Sequence, residues 1–187
     1  MNDTIIVCFS GVGPGPGLPI GEEFQAIKGW KDVDSLYYID EARSFFNKID
    51  VASLIKKVEG YQKVIALGNS LGAFNANCLA QVTKVDAVIS FAAVYSVLPY
   101  IVPFEKKWIK FQHNGGDWKF DYMKFNDTTK YYFISGDDER EQQHLNMVPD
   151  APNVVKNTIQ NCGHDVAMVL AKQKKLYPMI KEIVNGI

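Results

Sequence analysis

Cysteine, histidine and net charge are all scarce in this chain of 187 residues. The three cysteines, Cys8, Cys78 and Cys162, are odd in number and widely spaced. That excludes a disulfide framework and fits a reducing, cytoplasmic setting. Cys162 and His164 stand close together, but no second Cys or His pair accompanies them, so no metal is assigned. The net charge is -1, from 20 Lys+Arg against 21 Asp+Glu. A nucleic-acid binder normally carries a basic excess, so no nucleic-acid partner is expected. Targeting signals are missing too. Met1-Asn2-Asp3-Thr4 has no basic region, and the apolar run Ile5–Phe9 is too short for a signal-peptide core. The uncharged stretch Ala87–Phe104 approaches the length of a membrane span. It holds Pro99, Pro103, Ser90 and Ser96, and reads as a buried strand entering an apolar loop, so no integral membrane segment is expected.

Nucleotide-binding signatures are absent as well. Gly11-Val12-Gly13-Pro14-Gly15-Pro16-Gly17 follows the first apolar run. The G-x-G-x-x-G spacing is never met, because Pro16, Leu18 and Ile20 occupy the positions of a third glycine. Prolines have no N–H to offer a phosphate, and no Gly-Lys-Ser/Thr follows. The glycines still allow backbone amides to approach a ligand.

What is present is a composition of 47% hydrophobic and 22% charged residues, enough for one sizeable core. Six short apolar segments read as strands: Thr4–Phe9, Asp34–Ile39, Lys63–Leu67, Val85–Phe91, Tyr131–Ser135 and Val154–Ile159. Between them lie helical patterns at Glu22–Lys28, Val51–Glu59, Leu71–Val82, Arg140–Met147 and Val166–Val184, the last expected to bend at Pro178. Such alternation predicts one α/β domain over 1–187, a three-layer α/β/α sandwich with a mostly parallel sheet of about six strands. One connection, about 95–127, is unusually aromatic: Tyr95, Tyr100, Phe104, Trp108, Phe111, Trp118, Phe120, Tyr122 and Phe125 all fall in it. Long aromatic connections often serve as lids or binding walls, and the alternative is simple packing onto the core.

Gly68-Asn69-Ser70-Leu71-Gly72 is the sharpest motif, a G-x-S-x-G between an apolar strand and a helix. A tight strand-to-helix turn holds its middle residue in strain, and small flanking residues let the chain segments pass. Ser70 is thereby a candidate nucleophile, with the Leu71 N–H aimed at a developing oxyanion. The plain alternative is a βα turn with Ser70 as helix cap. Of three histidines, His164 in Cys162-Gly163-His164 follows the last predicted strand and is the candidate base. His113 reads as a loop residue and His144 as a helical surface residue. Either aspartate of Gly136-Asp137-Asp138-Glu139 could orient the imidazole.

In this order, Ser then Asp then His, the chain resembles the α/β-hydrolase superfamily over nearly its full length, and within it the small esterases with little or no cap domain. Leu67–Ala73 looks like their nucleophile turn and Cys162-Gly163-His164 like their histidine loop. Phe9-Ser10-Gly11-Val12 stands where the family carries a His-Gly oxyanion loop, with Ser10 in place of the histidine. The resemblance implies a minimal fold of the family and a catalytic Ser70, Asp138 and His164, with Asp138 favoured over Asp137. It also implies oxyanion donors at Val12 and Leu71. The implied activity is that of a serine hydrolase cleaving a small-molecule ester or thioester through an acyl-enzyme, with no cofactor. Alternatives are an acyltransferase on the same fold, a non-catalytic binding module, and a lipid-surface hydrolase with Leu98–Phe104 as an interfacial lid.

Overall fold

The computed structural model describes residues 2–14 and 18–187. Gly15, Pro16 and Gly17 of the glycine-proline run lie outside the described residues. The strands are β1 (Thr4–Phe9), β2 (Asp34–Tyr38), β3 (Lys63–Asn69), β4 (Ala87–Phe91), β5 (Lys130–Gly136) and β6 (Val154–Ile159). The helices are α1 (Val51–Val58), α2 (Leu71–Val82), α3 (Glu139–Met147), α4 (Val166–Lys172) and α5 (Leu176–Asn185). All strand pairs are parallel, in the order β2-β1-β3-β4-β5-β6. This is the parallel sheet the sequence predicts.

Side chains alternate across the strands and build two apolar layers. Ile5, Val7 and Phe9 of β1 and Val64 and Ala66 of β3 face one layer, with Leu54 and Val58 of α1, Phe74 and Leu79 of α2, and Leu145 of α3. Ile6 and Cys8 of β1 and Ile65 and Leu67 of β3 face the other, with Val166 and Leu170 of α4 and Ile180 and Val184 of α5. Burying one such aliphatic side chain contributes about 1.5–3 kcal/mol. The outer strands differ from the expectation of burial on both faces: β2 is half-buried throughout, and β6 alternates, leaving Val155 exposed. They are sheet edges, covered less completely than the strands between them.

Two helical expectations change. The segment near Glu22–Lys28 forms a short 3₁₀ turn at Gln25–Gly29, after Phe24 in the left-handed region at φ 62°. The long pattern Val166–Val184 is two helices, and the break lies at Gln173–Lys175, not at Pro178. Pro178 sits in the first turn of α5, where its missing N–H has no helical acceptor to lose. Its ring would clash with the Lys174 carbonyl in a continuous helix, and Lys174 turns to φ 57° instead.

The sheet places the site. The chain leaves β1 toward β2, then returns past β1 to β3, so the strand order reverses between β1 and β3. In open α/β sheets a ligand crevice opens at the carboxyl ends of the strands at such a reversal. Ser10-Gly11-Val12 leaves β1 there, and Ser70 leaves β3.

Candidate active site

Ser70 joins β3 to α2 with φ 57° and ψ -118°, a conformation that costs an L-residue energy and persists only where its surroundings hold it. Two glycines make the turn physically feasible. A Cβ on Gly68 would overlap the backbone of Gly72, and a Cβ on Gly72 would overlap the carbonyl of Phe9 in β1. The Ser70 N–H donates to the Phe91 carbonyl at 2.9 Å, fastening the turn to β4. Leu71, fully buried, is the first residue of α2, so its N–H belongs to the helix's unpaired first turn. Ser70 is no helix cap through its side chain, which leaves Oγ free for other partners.

That partner is His164. Its Nε2 lies 2.8 Å from Ser70 Oγ, across 94 residues of sequence. The loop carrying it is pinned by Asp137, whose carboxylate accepts from the Asn161 N–H at 2.8 Å and the Cys162 N–H at 3.0 Å. These backbone bonds hold the Asp137 carboxyl below its ordinary pKa.

The carboxylate on the other side of the imidazole is Glu141, 2.8 Å from His164 Nδ1, and this corrects the expectation of Asp138. The reason is local. Asp138 is the N-cap of α3, and its Oδ1 accepts from the Glu141 N–H at 2.8 Å. That oxygen is committed to the helix end. Glu141 sits one turn inside, on the buried face of α3 with His144 and Leu145. Burial opposes ionisation of Glu141, yet its hydrogen bond to His164, the imidazole charge and Arg140 outweigh burial and hold the carboxyl below its ordinary pKa. Arg140 lies 3.0 Å from the same Oε1. The sequence offers one signal: Asp-x-x-Glu at a helix start marks Asp138 as the cap, whereas the turn of Glu141 toward His164 depends on packing.

Beside Ser70 and His164 lies an open cleft of about 320 Å³, lined by Val12, Glu23, Asn69, Ser70, Trp108 and His164 among others. Val12 is fixed from behind by Arg43, whose Nε donates to the Val12 carbonyl at 2.8 Å. Trp108 packs against the His164 ring, with centroids 5.1 Å apart. Its loop is held by Glu105, whose Oε1 accepts from the Trp108 N–H at 2.8 Å and whose Oε2 meets His144 Nε2 at 2.8 Å. His144 is therefore a buried anchor, 2% exposed, and not the surface residue the helical pattern suggests. His113 is exposed, as expected.

Most of the aromatic connection packs inward. Trp118 lies on Phe45, Phe120 on Phe46, and Phe125 on Tyr131 and Phe133. Leu98 and Val102 of the supposed interfacial lid are buried, while Tyr100 is exposed. No helix among the described residues is long and apolar enough to cross a membrane. Among the described residues no cluster of His, Cys, Asp and Glu could hold a metal ion.

No protein-family model and no curated protein matches the sequence. Solved structures do match by shape. A capsule O-acetyltransferase of Neisseria meningitidis serogroup A is 13% identical, with a TM-score of 0.67 over 96% of this chain and 87% of that one. A carboxylesterase structure from the thaumarchaeon Nitrososphaera gargenis is 14% identical, with a TM-score of 0.60 over 97% and 89%. MenH from S. aureus is 11% identical, with a TM-score of 0.56 over 100% and 95%. At these identities the likeness is one of fold: the chain has an α/β-hydrolase-like fold in a minimal, six-stranded form.

Proposed function

We propose that the protein is a serine hydrolase acting on carboxylic esters or thioesters, with Ser70 as nucleophile, His164 as base and Glu141 as the orienting carboxylate. The observation that carries this reading is the 2.8 Å approach of His164 Nε2 to the Oγ of a serine held in strain at a strand end. Glu141 accepts a hydrogen bond from the Nδ1–H and fixes the tautomer in which Nε2 is the free base. His164 takes the Ser70 proton as Oγ attacks the carbonyl carbon. The N–H groups of Leu71 and Val12 receive the oxyanion, an interaction whose loss typically costs about 2.7–4 kcal/mol of barrier. The protonated imidazole then gives its proton to the leaving alcohol or thiol. Water attacks the acyl-enzyme by the same route and frees the acid.

An acyltransferase is the second reading, favoured by the fold shared with a capsule O-acetyltransferase. It differs in the final step, where an alcohol replaces water. Three buried free thiols support a reducing, cytoplasmic setting. Hydrolysis of 4-nitrophenyl acetate by the wild type, lost in Ser70→Ala, is the expected result. Full activity in the alanine variant would refute the mechanism. Adding glycerol and analysing products separates hydrolysis from transfer.

A further inference from the structure

The cleft contains a glutamate that the proposed triad does not use. Glu23 lines the same space as Ser70 and His164. A Cβ on Gly11 would lie 3.3 Å from Glu23 Oε1 and 3.6 Å from Ser70 Cβ, so the carboxyl stands one residue's width from the nucleophile. Its backbone is fixed, because the Glu23 N–H donates to Ser10 Oγ at 3.2 Å. Thus the serine that replaces the family's histidine holds Glu23 at the site. Burial pushes the Glu23 carboxyl above its ordinary pKa, partly opposed by the Asn69 side chain, the Gly11 N–H and His164. Asn69 and the Gly11 N–H hold the half-buried carboxyl in place in the cleft beside the nucleophile.

The other charged groups of the cleft are Lys107 and Asp165, set among the apolar Trp108, Met168 and Val12. Of the aromatic connection, Trp108 forms a wall of the cleft, while Trp118, Phe120 and Phe125 pack on the core.

We propose that Glu23 is the specificity-determining residue of the cleft and accepts a hydrogen bond from a hydroxyl on the ester substrate, close to the scissile carbonyl. The substrate class is then the ester of a polyol or of a hydroxy acid. This rests on the hydrolase reading above. Glu23 and Asp165 in the same cleft disfavour a carboxylate substrate by like-charge repulsion.

The test compares kcat/KM for matched pairs: glycerol monoacetate against propyl acetate, and ethyl glycolate against ethyl acetate, with acetylcholine as the cationic arm. In the wild type at least one hydroxylated member exceeds its plain partner about tenfold or more, the size of a hydrogen bond to a charged acceptor. In Glu23→Gln and Glu23→Ala that ratio falls to about twofold or less. A ratio unchanged by both variants, or absent in the wild type, overturns the assignment. So does a preference for acetylcholine over every hydroxylated ester. Fluorophosphonate labelling of Ser70 in the same samples isolates the underlying reading. No labelling of the wild type refutes the hydrolase and the Glu23 assignment together, whereas labelling with an unaltered ratio refutes the assignment alone. Labelling of both variants confirms that they retain the folded site.

Discussion

Glu141 and Asp138 stand three residues apart in the same loop and helix start, and the structure gives them different tasks. Replacing Glu141 with Gln keeps its volume but removes the charge that faces the imidazole at 2.8 Å. When Ser70 is deprotonated that imidazole becomes a cation. At an effective dielectric of about 20, a carboxylate at this distance contributes about 6 kcal/mol to the cation. Arg140, 3.0 Å from the same oxygen, cancels part of it. A net loss of about 4 kcal/mol corresponds to roughly a thousandfold in kcat. The serine-protease triad that serves as the general template loses about 10⁴ on the equivalent change, so the figure is of the right order. Asp138→Ala has another outcome. It removes the cap bond to the Glu141 N–H and costs about 1 kcal/mol of stability, or a few degrees in Tm, with kcat reduced less than about tenfold. Steady-state kinetics and thermal melts on both variants decide the matter. A collapse of kcat in Asp138→Ala alongside a nearly normal Glu141→Gln would refute the assignment of the acid.

Further outcomes follow from the same geometry. Gly72→Ala places a Cβ against the Phe9 carbonyl, which a strand backbone cannot yield, so the variant loses several kcal/mol of stability and unfolds at lower temperature in calorimetry. A Gly72→Ala variant melting with the wild type would mean that β1 and α2 are not in such close contact. Burial opposes ionisation of Glu105, yet its bonds to His144 and to the Trp108 and Lys107 N–H groups hold its carboxyl below the ordinary value. Its contribution to stability is present at neutral pH and is lost as pH falls through that lowered pKa. Denaturant unfolding from pH 5 to 3 therefore shows declining stability, less steeply in Glu105→Gln. An identical slope in the two proteins would contradict the contribution of Glu105.

The parts of this account that were legible in the sequence are those fixed by local patterns. Thr4–Phe9, Leu71–Val82 and Val154–Ile159 have the bounds that apolar runs and helical spacing predict. The Ser70 turn is local too, since its glycines flank it. His164 could be chosen because it follows a strand at the same sheet rim. The acid was not legible from order alone. Asp138 is drawn off by the helix end it begins, and only the packing of α3 shows that Glu141 faces inward. His144 is buried for a comparable reason: its partner Glu105 lies 39 residues away, in the aromatic connection. Glu23 carried no motif, and its place depends on the loop after β1 folding back over Ser10.

Whether Ser70 is an activated nucleophile is read directly from the reaction of the native protein with a fluorophosphonate, followed by peptide mass spectrometry. The expected product is a single phosphonyl adduct on Ser70, formed quickly in the wild type, much more slowly in His164→Ala and not at all in Ser70→Ala. A folded wild type that stays unmodified, or carries the adduct on another residue, would contradict it.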